Sequence, residues 1–388
     1  MGKNHFSKKY VTVVMSFYLF FAIRILFTSL VSVFLLDQGN SAQQVSSVSA
    51  VALVASFFTV PWIGKITDKF GPKRISCVLL VAASIAGLLF AFSKSLFLTG
   101  MLYSIVMICI NTLHPIVEKQ ATQTDFSYGS VRIWGTIGNA IGTQLGGLIY
   151  EYGSPQFVYV FFSLAAITTS LVMNTSIPDI AAKTDASART EKRIKGTYSI
   201  GFVLYLVVVF CFYAALDTKN LYLTAFLRTS VFSINEASTI LFIASLLEIP
   251  VVLFGGRMVD KFGSKAQVTS LLMLLGFQLV VYAFLNSFAL IVCTTLITNS
   301  VVSMFFIMIN MKVINEMIDA KHQLSALSIT AGIRSFAAVV GQIIGGKLID
   351  AYSYQSLFAA LFAFVAAAMV ITLVIKFPHR KADMHLYS

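Results

Sequence analysis

"GKITDKFGPK", Gly64 to Lys73, returns as "GRMVDKFGSK", Gly256 to Lys265. The copies share the pattern G-x-x-x-D-K-F-G-x-K and begin 192 residues apart (64 to 256). Each is polar and glycine-punctuated, and each follows the second long apolar run of its half of the chain. A phrase this specific, repeated in register, points to duplication of one unit.

The surroundings set the class. With 57% hydrophobic and 11% charged residues in 388, and 34 Phe, the chain has too little polar material to cover a soluble surface. Apolar runs of about 20 residues cross roughly 30 Å of hydrocarbon as helices. Twelve such runs occur, at 11–36, 46–63, 75–93, 96–117, 130–150, 156–176, 199–226, 237–259, 266–286, 287–311, 324–349 and 354–376. They lack the strict alternation of barrel strands. The expected fold is all-α and polytopic, with twelve transmembrane helices in two pseudo-symmetric six-helix bundles, 1–177 and 199–388, joined by a polar linker at 178–198. The first run is too long for a signal-peptide core and is read as retained. A second echo supports the duplication: Gly142-x-x-x-Gly146-Gly147, then Ile149-Tyr150-Glu151-Tyr152, recurs as Gly341-x-x-x-Gly345-Gly346, then Ile349-Asp350-Ala351-Tyr352.

The net charge of +12 is a topology signal. Lys3, Lys8, Lys9, Lys65, Lys69, Lys73, Arg74, Lys183, Arg189, Lys192, Arg193, Lys195, Arg257, Lys261, Lys265, Lys376, Arg380 and Lys381 all fall on one side of the predicted layout, while the other carries little beyond Lys94, Arg228 and Lys347. The positive-inside rule puts both termini in the cytoplasm of a plasma-membrane protein, and no nucleic-acid partner follows. Cys77, Cys109, Cys211 and Cys293 are widely spaced inside apolar runs, which suits neither disulfides nor a metal site. Gly341 to Lys347 resembles a nucleotide loop but lacks the Ser or Thr after the Lys and lies in an apolar run, so it reads as helix packing. No catalytic constellation stands out, and an enzyme with a cofactor is not expected.

In the repeated phrase, Gly64, Asp68 and Gly71, with Gly256, Asp260 and Gly263, make a tight charged turn. The second Gly of each set permits the reversal, and the Asp is expected to cap or approach the N-terminus of the next helix and to pair with a neighbouring Lys or Arg. Deep in the runs sit Arg24, Asp217, Glu248 and Arg334; ionisable groups at such depth are costly unless paired or hydrated, and so are functional candidates. Arg24 and Asp217 stand 193 residues apart (24 to 217), near the repeat distance, and are expected to face each other across the pseudo-two-fold axis. Glu248 precedes Pro250, whose ring is expected to kink its helix, and Glu248 or Asp217 is the expected proton carrier. Glu118 and Arg132 lie at similar depth on neighbouring runs and suit a carboxylate to guanidinium contact. Lys312 and Glu316 read as a snorkelling pair. Asn111, Asn310 and Gln278 are candidate helpers; His114 and Lys219 stay unassigned.

The repeated phrase resembles the loop motif of the major facilitator superfamily, and twelve helices in a duplicated 6+6 layout extend the resemblance over the whole chain. It implies two bundles rocking about a midplane site, with Asp68 and Asp260 in a gate. "PIVEK" (115–119) and "DFSYGSVRIWGTIG" (125–138) resemble the lactose permease type of oligosaccharide:proton symporters, which implies that Glu118 and Arg132 hold substrate hydroxyls; the stretch also resembles relatives that carry aromatic acids, so it does not fix the substrate. "LLEIPVVLFGGRMVDKFG" (246–263) looks like the bacterial sugar-efflux transporters. The sequence departs from the permeases at Asn139, where they place a sugar-stacking Trp, and by lacking their proton cluster on the tenth run. The expectation is a monomeric, proton-coupled transporter of a small polar, sugar-like solute, with drug or metabolite efflux as the alternative.

Overall fold

A computed structural model describes residues 8–122, 128–176, 199–229, 232–285, 287–318, 322–375 and 377; at 256 and 260 it describes the backbone alone. The expected linker and the basic tails lie outside the described residues, as do the side-chain positions of Gly256 and Asp260.

The described residues form fourteen helices: α1 (Lys8–Thr28), α2 (Val31–Asp37), α3 (Ala42–Phe70), α4 (Pro72–Phe92), α5 (Leu96–Thr122), α6 (Tyr128–Tyr152), α7 (Pro155–Ser176), α8 (Ile200–Thr229), α9 (Ile234–Leu246), α10 (Glu248–Lys261), α11 (Ser264–Phe284), α12 (Phe288–Met317), α13 (Gln323–Ala351) and α14 (Tyr354–Val374). Eleven spans are long and apolar enough to cross a membrane. The twelfth crossing is α6, whose Arg132, Asn139, Gln144 and six glycines lower its hydropathy. It is buried between α1 and α9, so it needs less apolar surface than a lipid-facing helix. By contrast, α4 turns Val78, Val81, Ile85, Leu89 and Phe92 outward as an exposed stripe, the surface a helix presents to lipid.

Two of the twelve runs are each broken into two helices. The first breaks between α1 and α2. The eighth breaks at Leu247, so that Glu248 opens α10 and Pro250 falls in its first turn, where a missing N–H removes no helical bond. Gly71 takes φ 87°, the left-handed region that favours glycine, and Pro72 opens α4. Its counterpart Gly263 turns at φ −66°, which any residue adopts, so the second copy needs no glycine for the reversal. Of the two expected placements Asp68 does not take the cap of α4: it is exposed within the last turn of α3, and the N-cap is Gly71 with no side-chain bond.

Within each half the helices pack by one plan. An added Cβ at Gly142 would stand 2.5 Å from the Ala22 carbonyl oxygen, and one at Gly341 2.6 Å from that of Ala214, so small residues bring α6 onto α1 and α13 onto α8 at backbone contact. Phe34, Phe90 and Tyr159 form an aromatic triad with centroids 4.6–5.5 Å apart. Phe226, Tyr282 and Phe358 repeat it in the second half at 4.7–5.0 Å. The duplication written in the loops therefore extends to the cores of both bundles.

The hydrogen bonds between described residues of the two bundles gather at the end opposite the repeated loops. Gly147 of α6 packs on Ser238 of α9, and Gly346 of α13 packs on Ser46 of α3. Ser46 donates to the Gln342 carbonyl at 2.6 Å, and the Tyr222 hydroxyl donates to that of Ala42 at 2.6 Å. Asp37 receives Arg228 Nη1 at 2.5 Å and the Tyr150 hydroxyl at 2.6 Å, tying α2, α6 and α8 together. This end is sealed.

Candidate functional site

Seven ionisable groups from the two bundles converge in one region between them. From the first half come Arg24 on α1, Glu118 and His114 on α5 and Arg132 on α6; from the second come Asp217 on α8, Glu248 at the start of α10 and Arg334 on α13. Arg24 lies within electrostatic range of Arg132, Arg334, Glu248 and Glu118, and Glu248 within range of Arg132 and Arg24. Three guanidiniums and three carboxylates thus share one region between the halves.

Asp217 pairs with Arg334 and not with Arg24. Arg334 Nε and Nη2 each donate to a different Asp217 oxygen at 3.3 Å, and the guanidinium lies 4.5 Å from the Tyr213 ring centroid. The offset explains the change of partner. At the repeat spacing of 192, the counterpart of Arg24 is Leu216, and one further residue turns a side chain about 100° around a helix. That rotation aims Asp217 at α13, which Gly341 already holds tight against α8.

Glu118 and Arg132 come together as expected, with Arg132 Nε 3.8 Å from Glu118 Oε1, an ion pair beyond hydrogen-bond distance; His114 Nε2 is 3.9 Å from the same oxygen. The arginines share the Phe21 ring, which lies 4.9 Å from the Arg132 guanidinium and 5.5 Å from that of Arg24. Gly135 and Gly138, whose side chains would collide with Phe17 and Tyr18, let α6 sit close enough to α1 for this. Arg24 Nε and Arg132 Nη1 are sealed from solvent without a hydrogen-bond partner.

The helpers divide. Asn111 donates to Ser56 at 3.2 Å, bracing α5 against α3, and Asn310 accepts from the Tyr205 hydroxyl at 3.0 Å. Gln278 belongs elsewhere. It and Asn299 accept from the fully buried Lys219 ammonium at 3.1 and 2.6 Å, while its amide donates to Tyr282 at 2.7 Å, all inside the second bundle. Lys219 is the repeat counterpart of Phe27, so a polar network replaces the first half's aromatic packing. A lone Lys near a run's end gave no signal of this. The expected Lys312 to Glu316 pair is also not formed: Lys312 donates to the Val259 and Phe262 carbonyls, both at 2.6 Å, since the C-terminus of α10 offers unpaired acceptors.

In the first repeated loop, Gly64 has open space around its Cα, Asp68 is exposed and Gly71 makes the reversal. No group of His, Cys, Asp and Glu suited to a metal ion occurs among the described residues.

Comparison with known proteins fits this architecture. The chain is 22% identical over 341 residues to the uncharacterized transporter YwbF of Bacillus subtilis (strain 168), covering 84% of this chain and 82% of that protein. It is 23% identical over 265 residues to the maltose permease of Geobacillus stearothermophilus, covering 66% of each. Its fold superposes on a point mutant of the nucleoside transporter NupG with a TM-score of 0.82 at 15% identity, covering 95% of this chain and 99% of that one. A bacterial homologue of the iron transporter ferroportin in its inward-facing state superposes with a TM-score of 0.73 at 14% identity, over 94% and 97% of the chains. The model of the Major Facilitator Superfamily matches residues 12–311 and 200–385, and the chain belongs to that family of membrane transporters.

Proposed function

We propose that this protein is a secondary transporter that moves a small polar, sugar-like solute by alternating access, coupled to protons. The observation that carries the reading is the convergence of Arg24, Glu118 and Arg132 from one bundle upon Asp217, Glu248 and Arg334 from the other, beneath a sealed end. Groups this costly to bury gain water or a hydrophilic partner only if a polar path opens between the halves. Relatives that carry maltose and nucleosides support a hydroxyl-rich solute.

In this reading residues 1–177 and 199–388 are the rocking bundles and 178–198 the linker. Arg132, Glu118 and Arg24 hold the solute, with Asn111 and Asn310 positioning neighbours. Glu248 takes and releases the proton, while Asp217 and Arg334 exchange partners as the halves move. Gly64, Asp68 and Gly71, with Gly256, Asp260 and Gly263, gate the end that carries the repeated loops. Both termini lie in the cytoplasm, the protein works as a monomer in the plasma membrane, and the proton is the coupling ion.

The test is solute addition to lightly buffered, de-energised cells. Alkalinisation of the medium during uptake supports coupling; uptake without it leaves a uniporter. Arg132→Lys keeps the charge but loses the planar fork, and transport that survives it unchanged removes Arg132 from the binding role. A second reading, export of lipophilic compounds, is favoured by Phe57, which is half-exposed and packs across the interface against Gly332. Tighter binding of lipophilic cations than of any sugar would select it.

A further inference from the structure

The region around Phe21 holds more positive charge than its contacts neutralise. Arg24 and Arg132 both lie against the Phe21 ring, so no more than the sum of 5.5 and 4.9 Å separates their guanidinium carbons. They repel each other. The carboxylate in ion-pair contact is Glu118, which reaches Arg132 Nε at 3.8 Å. Among the described residues the Arg24 guanidinium has neither a hydrogen bond nor an ion pair, and its Nε is buried unpartnered, as is Arg132 Nη1.

A guanidinium out of water is stable only when paired and hydrogen-bonded, and a buried donor left unpaired is destabilising. Two such groups on closely packed helices form a receptor for a planar anion. Each presents a fork that matches a carboxylate's two oxygens, and a small rotation frees the buried donors to reach them. With Glu118 set against Arg132, one positive charge remains, which matches a monoanion; a phosphomonoester dianion would leave a negative charge over.

We infer that Arg24 and Arg132 together receive the carboxylate of the transported solute, which is therefore a sugar acid or similar hydroxylated monoanion and not a neutral sugar. The inference rests on the polar-solute reading above and narrows it. Glu248 fits the same scheme. It lies within electrostatic range of Arg24 and Arg132 from the other bundle and makes no ion-pair contact among the described residues, while on α12, packed against α10, the Lys312 ammonium is taken by backbone carbonyls. An ionised Glu248 would compete with the solute for the arginines. Its protonation as the anion binds keeps the site neutral, giving one proton for each monoanion.

The test uses the purified full-length protein in detergent with D-glucuronate, D-galacturonate and D-gluconate, each against its neutral sugar, and glucose 6-phosphate. At least one acid is expected to raise Tm and to bind tenfold or more tightly than its neutral partner and than the phosphate. Arg24→Gln and Arg132→Gln are each expected to weaken that binding at least tenfold, with Arg24→Lys in between. Calorimetry in two buffers of different ionisation heat should show about one proton taken up per acid bound, lost in Glu248→Gln. Size-exclusion profiles establish that the variants are folded, and Arg24→Lys stands in if Arg24→Gln is not. Neutral sugars binding as tightly as their acids, or Arg24 variants that bind normally, overturn the inference while the polar-solute reading stands. Phosphate binding tighter than carboxylate overturns the monoanion assignment. Failure of every acid and sugar overturns both readings.

Discussion

Glu151 accepts a hydrogen bond from the Asn235 backbone amide at 2.6 Å, and its counterpart Asp350 accepts from the Ala42 and Gln43 amides at 2.8 and 2.9 Å. Each carboxylate ends a glycine-rich helix of one bundle and sits on the first turn of a helix of the other, α9 or α3. Those helices start with matching capping boxes, Ser233 with Glu236 and Ser41 with Gln44. A carboxylate at a helix N-terminus completes open N–H groups and favours the dipole. The seal is thus one interaction used twice.

Neutralising these latches should open the sealed end. A carboxylate at a helix N-terminus contributes about 1 kcal/mol, so Asp350→Asn or Glu151→Gln should each shift the closed-to-open balance roughly fivefold, and the double variant more. Labelling of a Ser46→Cys reporter by a membrane-impermeant maleimide reads it, since Ser46 is buried in the seal. Unchanged labelling in the double variant would remove the latches from the closing contacts.

Asp217→Asn should strand the Arg334 charge. Breaking a fully buried pair costs about 3–5 kcal/mol, but Arg334 is 47% exposed, so a loss nearer 1–2 kcal/mol and a Tm lower by a few degrees is expected. The exchange Asp217→Arg with Arg334→Asp should recover part of it. No recovery would mean that the two act separately.

Gly341→Ala and Gly142→Ala should destabilise by about 1–3 kcal/mol, because the new methyl meets a helix carbonyl and not a flexible side chain. Gly64→Ala has open space and should leave the melting curve unchanged or slightly raised. A transport defect in it without loss of stability would support the proposed gating role of this loop. A Gly341→Ala variant that melts normally would contradict the backbone contact of α8 and α13.

Lys219→Met should leave the Gln278 and Asn299 oxygens unpaired, at about 1–3 kcal/mol, seen as a lowered Tm in detergent. If stability holds and only transport fails, Lys219 serves the cycle and not the packing.

Much of the fold is legible in the chain, because a bilayer imposes length and hydropathy on every crossing. The repeated phrase marks the two halves and Pro250 the broken eighth run. Sequence also found the charged residues, since ionisable groups in apolar runs stand out by type alone. It mispaired Asp217, because a difference of one residue from the repeat reads as small along the chain but is about 100° around a helix. Gln278 looked like a solute helper since nothing local connects it to Lys219. Glu151 and Asp350 appeared in the second, glycine-rich echo without a role, because a carboxylate at a helix end reads as solvated until another helix start is brought against it.

By itself the sequence determined that this protein is a duplicated bundle of membrane helices with six costly charges inside, since composition and periodicity answer directly to the solvent around each helix. Only the tertiary structure decided which charge meets which, where the halves close and which arginines are left without partners. Those depend on rotation and close approach of helices distant in sequence, set by contacts such as Gly142 on Ala22 and Gly341 on Ala214.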